Sequence, residues 1–259
     1  MFRESGMTKQ LEKEKRYEDA EKLEVELLPE LKELSEDLNE KGFPVDEKCR
    51  IKSEAFKDIF GERMILADKR AVEKIEGKFQ KEGNESMGEL LETVKTITFN
   101  KLWFDGRLIA LRTSKFDDYL NGIDEVIFDT ETHQPLAAVD TTTNIKEKTG
   151  EIIDKIRKGS QVKYGFYIKD GIKKGSLNDL PTFIISLKPE ELLNFVQKII
   201  EHPNDKKFDL DTEKNIIESL KRQSEEFEKI ANPKMKHSYE VAGQIFNDLL
   251  KSENENSSN

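Results

Sequence analysis

Apolar residues recur along this chain at two different periods. Over residues 8–41, leucines return every three or four positions among Glu and Lys, which is the spacing of an amphipathic helix. Pro29 interrupts this stretch and predicts a kink or two shorter helices, and Gly42 followed by Pro44 predicts its end. Further stretches with helical spacing follow at residues 53–60, 62–81, 87–99, 146–158, 190–201, 212–231 and 238–251.

Between residues 107 and 187 the pattern changes to short runs that favour β-structure. Five strands are predicted, at residues 107–112, 124–129, 135–139, 162–168 and 182–187. Residues 169–178, which are rich in lysine and glycine, are predicted to form the loop between the last two strands.

Strands interleaved with helices predict an α/β (α+β) fold. It should have a mixed central sheet of about five strands flanked by helices, with N- and C-terminal helical extensions. The expected organisation is an N-terminal helical region at 1–83, an α/β core at 84–188, C-terminal helices at 189–251 and a disordered tail at 252–259.

The second and third predicted strands bring two acidic residues together. The turn-like loop of residues 130–134 is so short that the strands should pair as an antiparallel hairpin, with Asp124 beside Asp140. Two adjacent carboxylates repel each other unless a proton or a cation lies between them. Alternatively, both aspartates face solvent at strand ends, although Asp140 follows an apolar run and would need a partner if that run is buried.

Charge restricts the possible partners. The chain has 53 acidic and 43 basic residues and a formal net charge of −10, so any contact with nucleic acid requires a local basic patch. The best patch is Lys169, Lys173 and Lys174 in the predicted loop, and the alternative is that these lysines only keep a sheet edge soluble.

Several classes of site and location lack support in the sequence. One cysteine, Cys49, excludes a disulfide framework and a thiolate zinc cluster. There is no phosphate-binding glycine loop or nucleophile elbow, and the three histidines lack the spacing of a ligand pair. Without an apolar leader or an apolar run long enough for a membrane span, we expect a soluble, cytoplasmic protein.

Two short stretches resemble the PD-(D/E)XK nuclease superfamily. They are Ser114, Asp118, Gly122, Ile123 and Asp124, and then Ala138-Val139-Asp140-Thr141-Thr142 at the end of the hairpin. The predicted order of helix, three strands, helix and strand is similar to that of the superfamily as well. The resemblance covers about residues 87–187, so it leaves the flanking helices unexplained.

The resemblance implies a metal site. Asp124 and Asp140 would bind Mg²⁺ or Mn²⁺, the backbone carbonyl of Thr141 would be a further ligand, and Glu92, or alternatively Glu89, would complete the set from the preceding helix. Such hard oxygen ligands are those that Mg²⁺ prefers.

Thr142 departs from the superfamily pattern because it stands where a lysine helps to activate water. Either another lysine acts there, with Lys163 or Lys146 as candidates, or the hydrolytic site is inactive. We therefore expect a Mg²⁺-dependent nuclease with Asp124, Asp140, Thr142 and Lys163 at its catalytic site.

The alternative is an inactive binding or scaffold module of the same fold that acts through its charged helices. The leucine-bearing N-terminal helices could serve a protein partner or a homodimer, or the first helix could lie against its own domain.

Overall fold

The computed structural model describes the backbone of residues 2–79, 85–142, 145–168, 171–202 and 210–256. Its helices are α1 (Phe2–Glu40), α2 (Lys57–Phe60), α3 (Glu62–Phe79), α4 (Glu85–Ile97), α5 (Ile145–Lys158), α6 (Pro189–Glu201), α7 (Leu210–Ile230) and α8 (Pro233–Asn256). Its strands are β1 (Leu108–Arg112), β2 (Glu125–Asp129), β3 (Gln134–Thr142), β4 (Ser160–Ile168), β5 (Ile172–Leu180) and β6 (Thr182–Ser186).

Four strands form a mixed sheet in the order β1-β2-β3-β6. The first three strands are an antiparallel meander, and β6 joins β3 in parallel. This confirms the predicted α+β class with a mixed sheet flanked by helices. The sheet has four strands where about five were expected, because β4 pairs with β5 in a separate two-stranded ribbon.

The ribbon contains a strand that the sequence analysis missed. β5 occupies most of the stretch predicted as a loop, since its lysines, glycine and serine carry little β propensity of their own. Pairing with β4 supplies the missing stability. Gly165 of β4 lies so close to Leu177 of β5 that an added Cβ would be 2.5 Å from the leucine Cγ.

Helix α1 is continuous through Pro29, so of the two predicted alternatives, a kink or two shorter helices, the second is wrong. Buried leucines on both sides of the proline hold the helix in place, namely Leu27, Leu31, Leu34 and Leu38. This leucine face packs within the chain, mainly against α4, so it matches the alternative of a helix laid against its own domain.

At the other end of the chain, α8 extends to Asn256, and residues 252–256 are therefore helical rather than a disordered tail. None of the helices in the described ranges has both the length and the apolar composition needed to cross a membrane.

Candidate functional site

The hairpin of β2 and β3 has the predicted geometry. Glu125 lies opposite Val139, and the backbone N–H of Asp124 donates to the carbonyl of Val139 over 3.1 Å. Asp124 is therefore opposite Asp140, as the short loop predicts. Both residues are buried, so the alternative of two solvent-facing aspartates is wrong.

Asp124 belongs to a group of three carboxylates from three different elements. Glu92 comes from α4, Asp118 from a π-helical turn at Asp117–Asn121, and Asp124 directly precedes β2. One oxygen of each lies within 4.8 Å of the other two. Asp118 is part of the motif that carries the family resemblance, but the sequence did not identify it as a ligand.

Asp140 and Thr141 point to opposite faces of the sheet, as strand alternation predicts. On one face, the ammonium of Lys155 from α5 lies 3.0 Å from Oδ2 of Asp140. On the other face, Lys95 of α4 donates to the hydroxyl of Thr141. The backbone N–H of Thr141 donates to Oδ2 of Asp124 over 2.5 Å, so the contact between these two residues is made by the amide of Thr141.

Among the described residues, Lys155 and Lys95 are thus the lysines that contact the hairpin at Asp140, Thr141 and Glu125. Lys163 forms an ion pair with Asp68, and its ammonium lies 4.7 Å from the centre of the Phe116 ring. The side chain of Lys146 lies outside the described residues. Thr142 is half-buried at the end of β3.

Sequence reasoning considered Lys155 only as a possible addition to the basic patch and did not place it beside Asp140, although one signal was present. It lies three positions after Ile152 and directly before Ile156, both of which are buried, so it borders the apolar face of α5.

Two buried arginines neutralise part of the acidic group. Nη1 of Arg50 is 2.8 Å from Oδ2 of Asp118, and Nη2 of Arg50 is 2.8 Å from Oε2 of Glu92. Nη2 of Arg112 is 2.6 Å from the same Glu92 oxygen and 3.0 Å from Oε1 of Glu89. Glu89 is therefore an ion-pair partner of the arginines. No local pattern could have revealed Arg50, since 68 positions separate it from Asp118.

The remaining electrostatics favour a proton or a cation at Asp124. Burial, and then the negative charge of Glu92, raise the pKa of Asp124 to about 7. Burial and Glu92 also raise the pKa of Asp118 to about 6, against the opposing effect of Arg50. Burial alone would raise the pKa of Glu89, but Arg112 and Arg50 outweigh it and hold that pKa well below its usual range.

The donor set fits a hard divalent ion. It consists of carboxylate oxygens, which Mg²⁺ and Mn²⁺ prefer, and one oxygen of each residue lies within 4.8 Å of the other two. The side chains of Glu92 and Asp118 are 13% and 15% exposed, so the group is in contact with solvent. Asp140 is not a member of this group and is held instead by Lys155.

The predicted basic patch is partly committed to other contacts. Lys174 lies on β5, 2.8 Å from Oδ1 of Asp58, and also donates to the carbonyl of Ala55. Lys173 is exposed on the same strand, and Lys169 lies outside the described residues.

Comparison with protein-family models, with curated proteins and with solved structures gives no match. The resemblance to PD-(D/E)XK nucleases therefore depends on the residues named above and on the order of the elements around them.

Proposed function

We propose that the chain is a metal-dependent phosphodiesterase of the PD-(D/E)XK kind that cleaves nucleic acid in the cytoplasm. The observation that carries the proposal is the convergence of Glu92, Asp118 and Asp124 at the start of β2, next to the Asp140–Lys155 pair. The element order α4-β1-β2-β3-α5-β6, in which the β4–β5 ribbon is inserted after α5, agrees with the order that the resemblance implies.

In this proposal Glu92, Asp118 and Asp124 hold Mg²⁺ or Mn²⁺. When bound, the ion supplies positive charge for the phosphoryl group and lowers the pKa of an attacking water. Asp140 orients Lys155 through their 3.0 Å contact and takes no part in holding the ion. This proposal differs from the expected Asp124–Asp140 ligand pair, because Asp124 holds the ion while Asp140 orients Lys155.

Lys155 would provide the positive charge that Thr142 lacks. Its side chain is 18% exposed, so its ammonium can approach a phosphate oxygen of a substrate. Lys95 is only 2% exposed and lies 3.3 Å from the fully buried Glu125. We therefore give Lys95 a positioning task, because it fixes Thr141, whose N–H in turn holds Asp124.

Contact with nucleic acid must be local in a chain of this net charge. Lys48, whose side chain is 43% exposed, lies at the edge of the acidic group, 3.2 Å from Glu89. Lys173 remains a candidate phosphate contact on the ribbon, while Lys174 is less available because Asp58 binds it.

The test is cleavage of plasmid DNA, single-stranded DNA and RNA with Mg²⁺ or Mn²⁺, compared with chelator. Asp124→Asn keeps the shape of the side chain and should abolish cleavage and weaken Mn²⁺ binding in calorimetry. Asp154→Asn is the matched control, since Asp154 is an exposed aspartate of α5 that pairs with Lys158. Absence of both Mn²⁺ binding and cleavage in the wild type would overturn the proposal.

A second function is favoured by a specific observation, which is that Arg50 and Arg112 already satisfy Glu92 and Asp118. Together with Thr142, this suits an inactive module whose acidic group is only an ion-pair network. Such a module would bind no Mn²⁺, and Asp124→Asn would stabilise it without weakening the binding of its partner.

A further inference from the structure

Arg50 bridges two of the three proposed metal ligands. Its Nη1 contacts Asp118 and its Nη2 contacts Glu92, each over 2.8 Å, and its side chain is 7% exposed. Arg112 contacts Glu92 as well, but among the described residues its ion pairs are with Glu89 and Glu92 and not with Asp118 or Asp124. Arg50 is thus the cation that joins Glu92 to Asp118.

The backbone of Arg50 is fixed independently of its side chain. Its N–H donates to Oδ1 of Asp46 over 2.9 Å, and an isolated β-bridge joins Arg50 to Arg112. The next N–H, that of Ile51, donates to the carbonyl of Arg112 over 3.0 Å. The guanidinium can therefore leave the carboxylates by rotation about its side-chain bonds while the chain stays in place.

We propose that Arg50 is an internal counter-ion that competes with a divalent metal for Glu92 and Asp118. The inference rests on the proposed function. Its physical reason is that Arg50, through Asp118 Oδ2 and Glu92 Oε2, occupies two of the three carboxylates that an ion would need. A guanidinium and a metal ion cannot both occupy the space between these oxygens.

A neighbouring cleft provides space for the displaced guanidinium. Arg50 lines a cavity of about 540 Å³ between α3 and the segment of residues 46–54. Five acidic residues line this cavity against three lysines, although Glu54 already pairs with Lys69 and Glu76 with Lys115. A positive charge that leaves the carboxylate group therefore meets negative charge in the cleft, while Arg112 continues to hold Glu89 and Glu92.

The test is Mn²⁺ titration by calorimetry at about pH 8, where Asp124 is ionised. Because a competing group lowers the fraction of binding-competent molecules, Arg50→Gln should bind Mn²⁺ about tenfold more tightly than the wild type. Arg50→Lys keeps the charge but loses the planar guanidinium that spans two carboxylates. Its affinity for Mn²⁺ should therefore lie between those of Arg50→Gln and the wild type. Arg107→Gln is the control, since Arg107 pairs with Asp129 and Glu131 and contacts none of the three carboxylates.

Thermal unfolding gives a second readout without any activity. Arg50→Gln should unfold at a lower temperature than the wild type in chelator, because its carboxylates lose their counter-ion, and Mn²⁺ should raise its unfolding temperature by more than it raises that of the wild type. If Arg50→Gln and Arg50→Lys both bind Mn²⁺ no more tightly than the wild type does, the competition is wrong and the proposed function stands. If neither the wild type nor these variants bind Mn²⁺, the proposed function fails as well.

Discussion

The ammonium of Lys155 lies 3.0 Å from Oδ2 of Asp140, and the same nitrogen donates to the carbonyl of Gly122 over 2.5 Å. Gly122 ends the π-helical turn that carries Asp118, and Asp140 lies in β3. One lysine of α5 thus joins the two segments on which the candidate site is built. The site therefore depends on α5 as much as on the hairpin.

Lys155→Ala should reduce both stability and cleavage. Asp140 is 2% exposed, so loss of the hydrogen-bonded ammonium from this buried carboxylate should lower the free energy of unfolding by about 1.5–3 kcal/mol. Cleavage should fall further than the folded fraction does, because the same change removes the proposed phosphate contact. Denaturant unfolding and cleavage rates check the two effects separately.

Lys158→Ala is the matched control for Lys155→Ala. Lys158 lies on the same helix and pairs with Asp154 on the surface, where ion pairs contribute little. Both quantities should stay close to those of the wild type. Equal losses in the two variants would mean that α5 responds to any lysine removal, and the special role of Lys155 would be lost.

Gly122→Ala should displace Lys155 without touching its charge. Gly122 has a φ of +62°, and an added Cβ would lie 2.7 Å from Nζ of Lys155. The left-handed conformation alone costs about 1–2 kcal/mol with alanine, and the lysine must also move. Gly150→Ala in α5 is the comparison, since its Cβ meets no atom of the described residues within 4 Å and should stabilise the helix by up to about 1 kcal/mol.

Asp124→Asn should change how stability depends on pH. The pKa of Asp124 is about 7 in the folded state against 3.8 in the unfolded chain, so the folded state binds more protons between these values. The contribution of Asp124 to the free energy of unfolding of the metal-free wild type therefore falls as pH rises from about 4 to 7. The asparagine variant lacks this contribution, so its free energy of unfolding should rise relative to that of the wild type over this pH range.

Urea unfolding in chelator at several pH values measures this difference. Asp154→Asn, at the exposed position on α5, should follow the wild type in parallel. A gap between Asp124→Asn and the wild type that stays constant with pH would show that the Asp124 carboxyl is not protonated in the folded state.

Local patterns were sufficient for the hairpin but not for its surroundings. The short loop and the two-residue alternation determine that Asp124 faces Asp140 and that Thr141 points the other way, and both features depend only on residues close in sequence. Arg50 and Asp118 are 68 positions apart in the sequence and meet only through tertiary packing, so no local sequence pattern predicts their contact. The strand β5 was missed for a related reason, since its pairing with β4 overrides a sequence of low β propensity.

Lys95 and Glu125 form a buried pair whose partners should be strongly coupled. Their side chains are 2% and 0% exposed, the nitrogen and oxygen are 3.3 Å apart, and Thr96 also donates to Glu125. Lys95→Met leaves Glu125 buried without its cation and should cost about 3–5 kcal/mol. Adding Glu125→Leu should restore part of that loss, and a double-mutant cycle measures the coupling. Additive losses would mean that the pair does not act as a unit.

Gln223 covers the outer edge of β6 in the way that a neighbouring strand would. Its Oε1 accepts from the N–H of Ile184 over 2.8 Å, and its Nε2 donates to the carbonyl of Ile184 over 2.9 Å. Gln223→Ala would leave both backbone groups without these partners and should cost about 1–2 kcal/mol. An uncovered strand edge also pairs readily with other chains, so the variant should aggregate at lower concentration.

Gln197→Ala, at an exposed glutamine of α6 that bonds only Glu201 among the described residues, should change neither unfolding nor light scattering. If Gln223→Ala behaves like that control, water replaces the glutamine at no cost and the edge is protected by the packing of α7 alone.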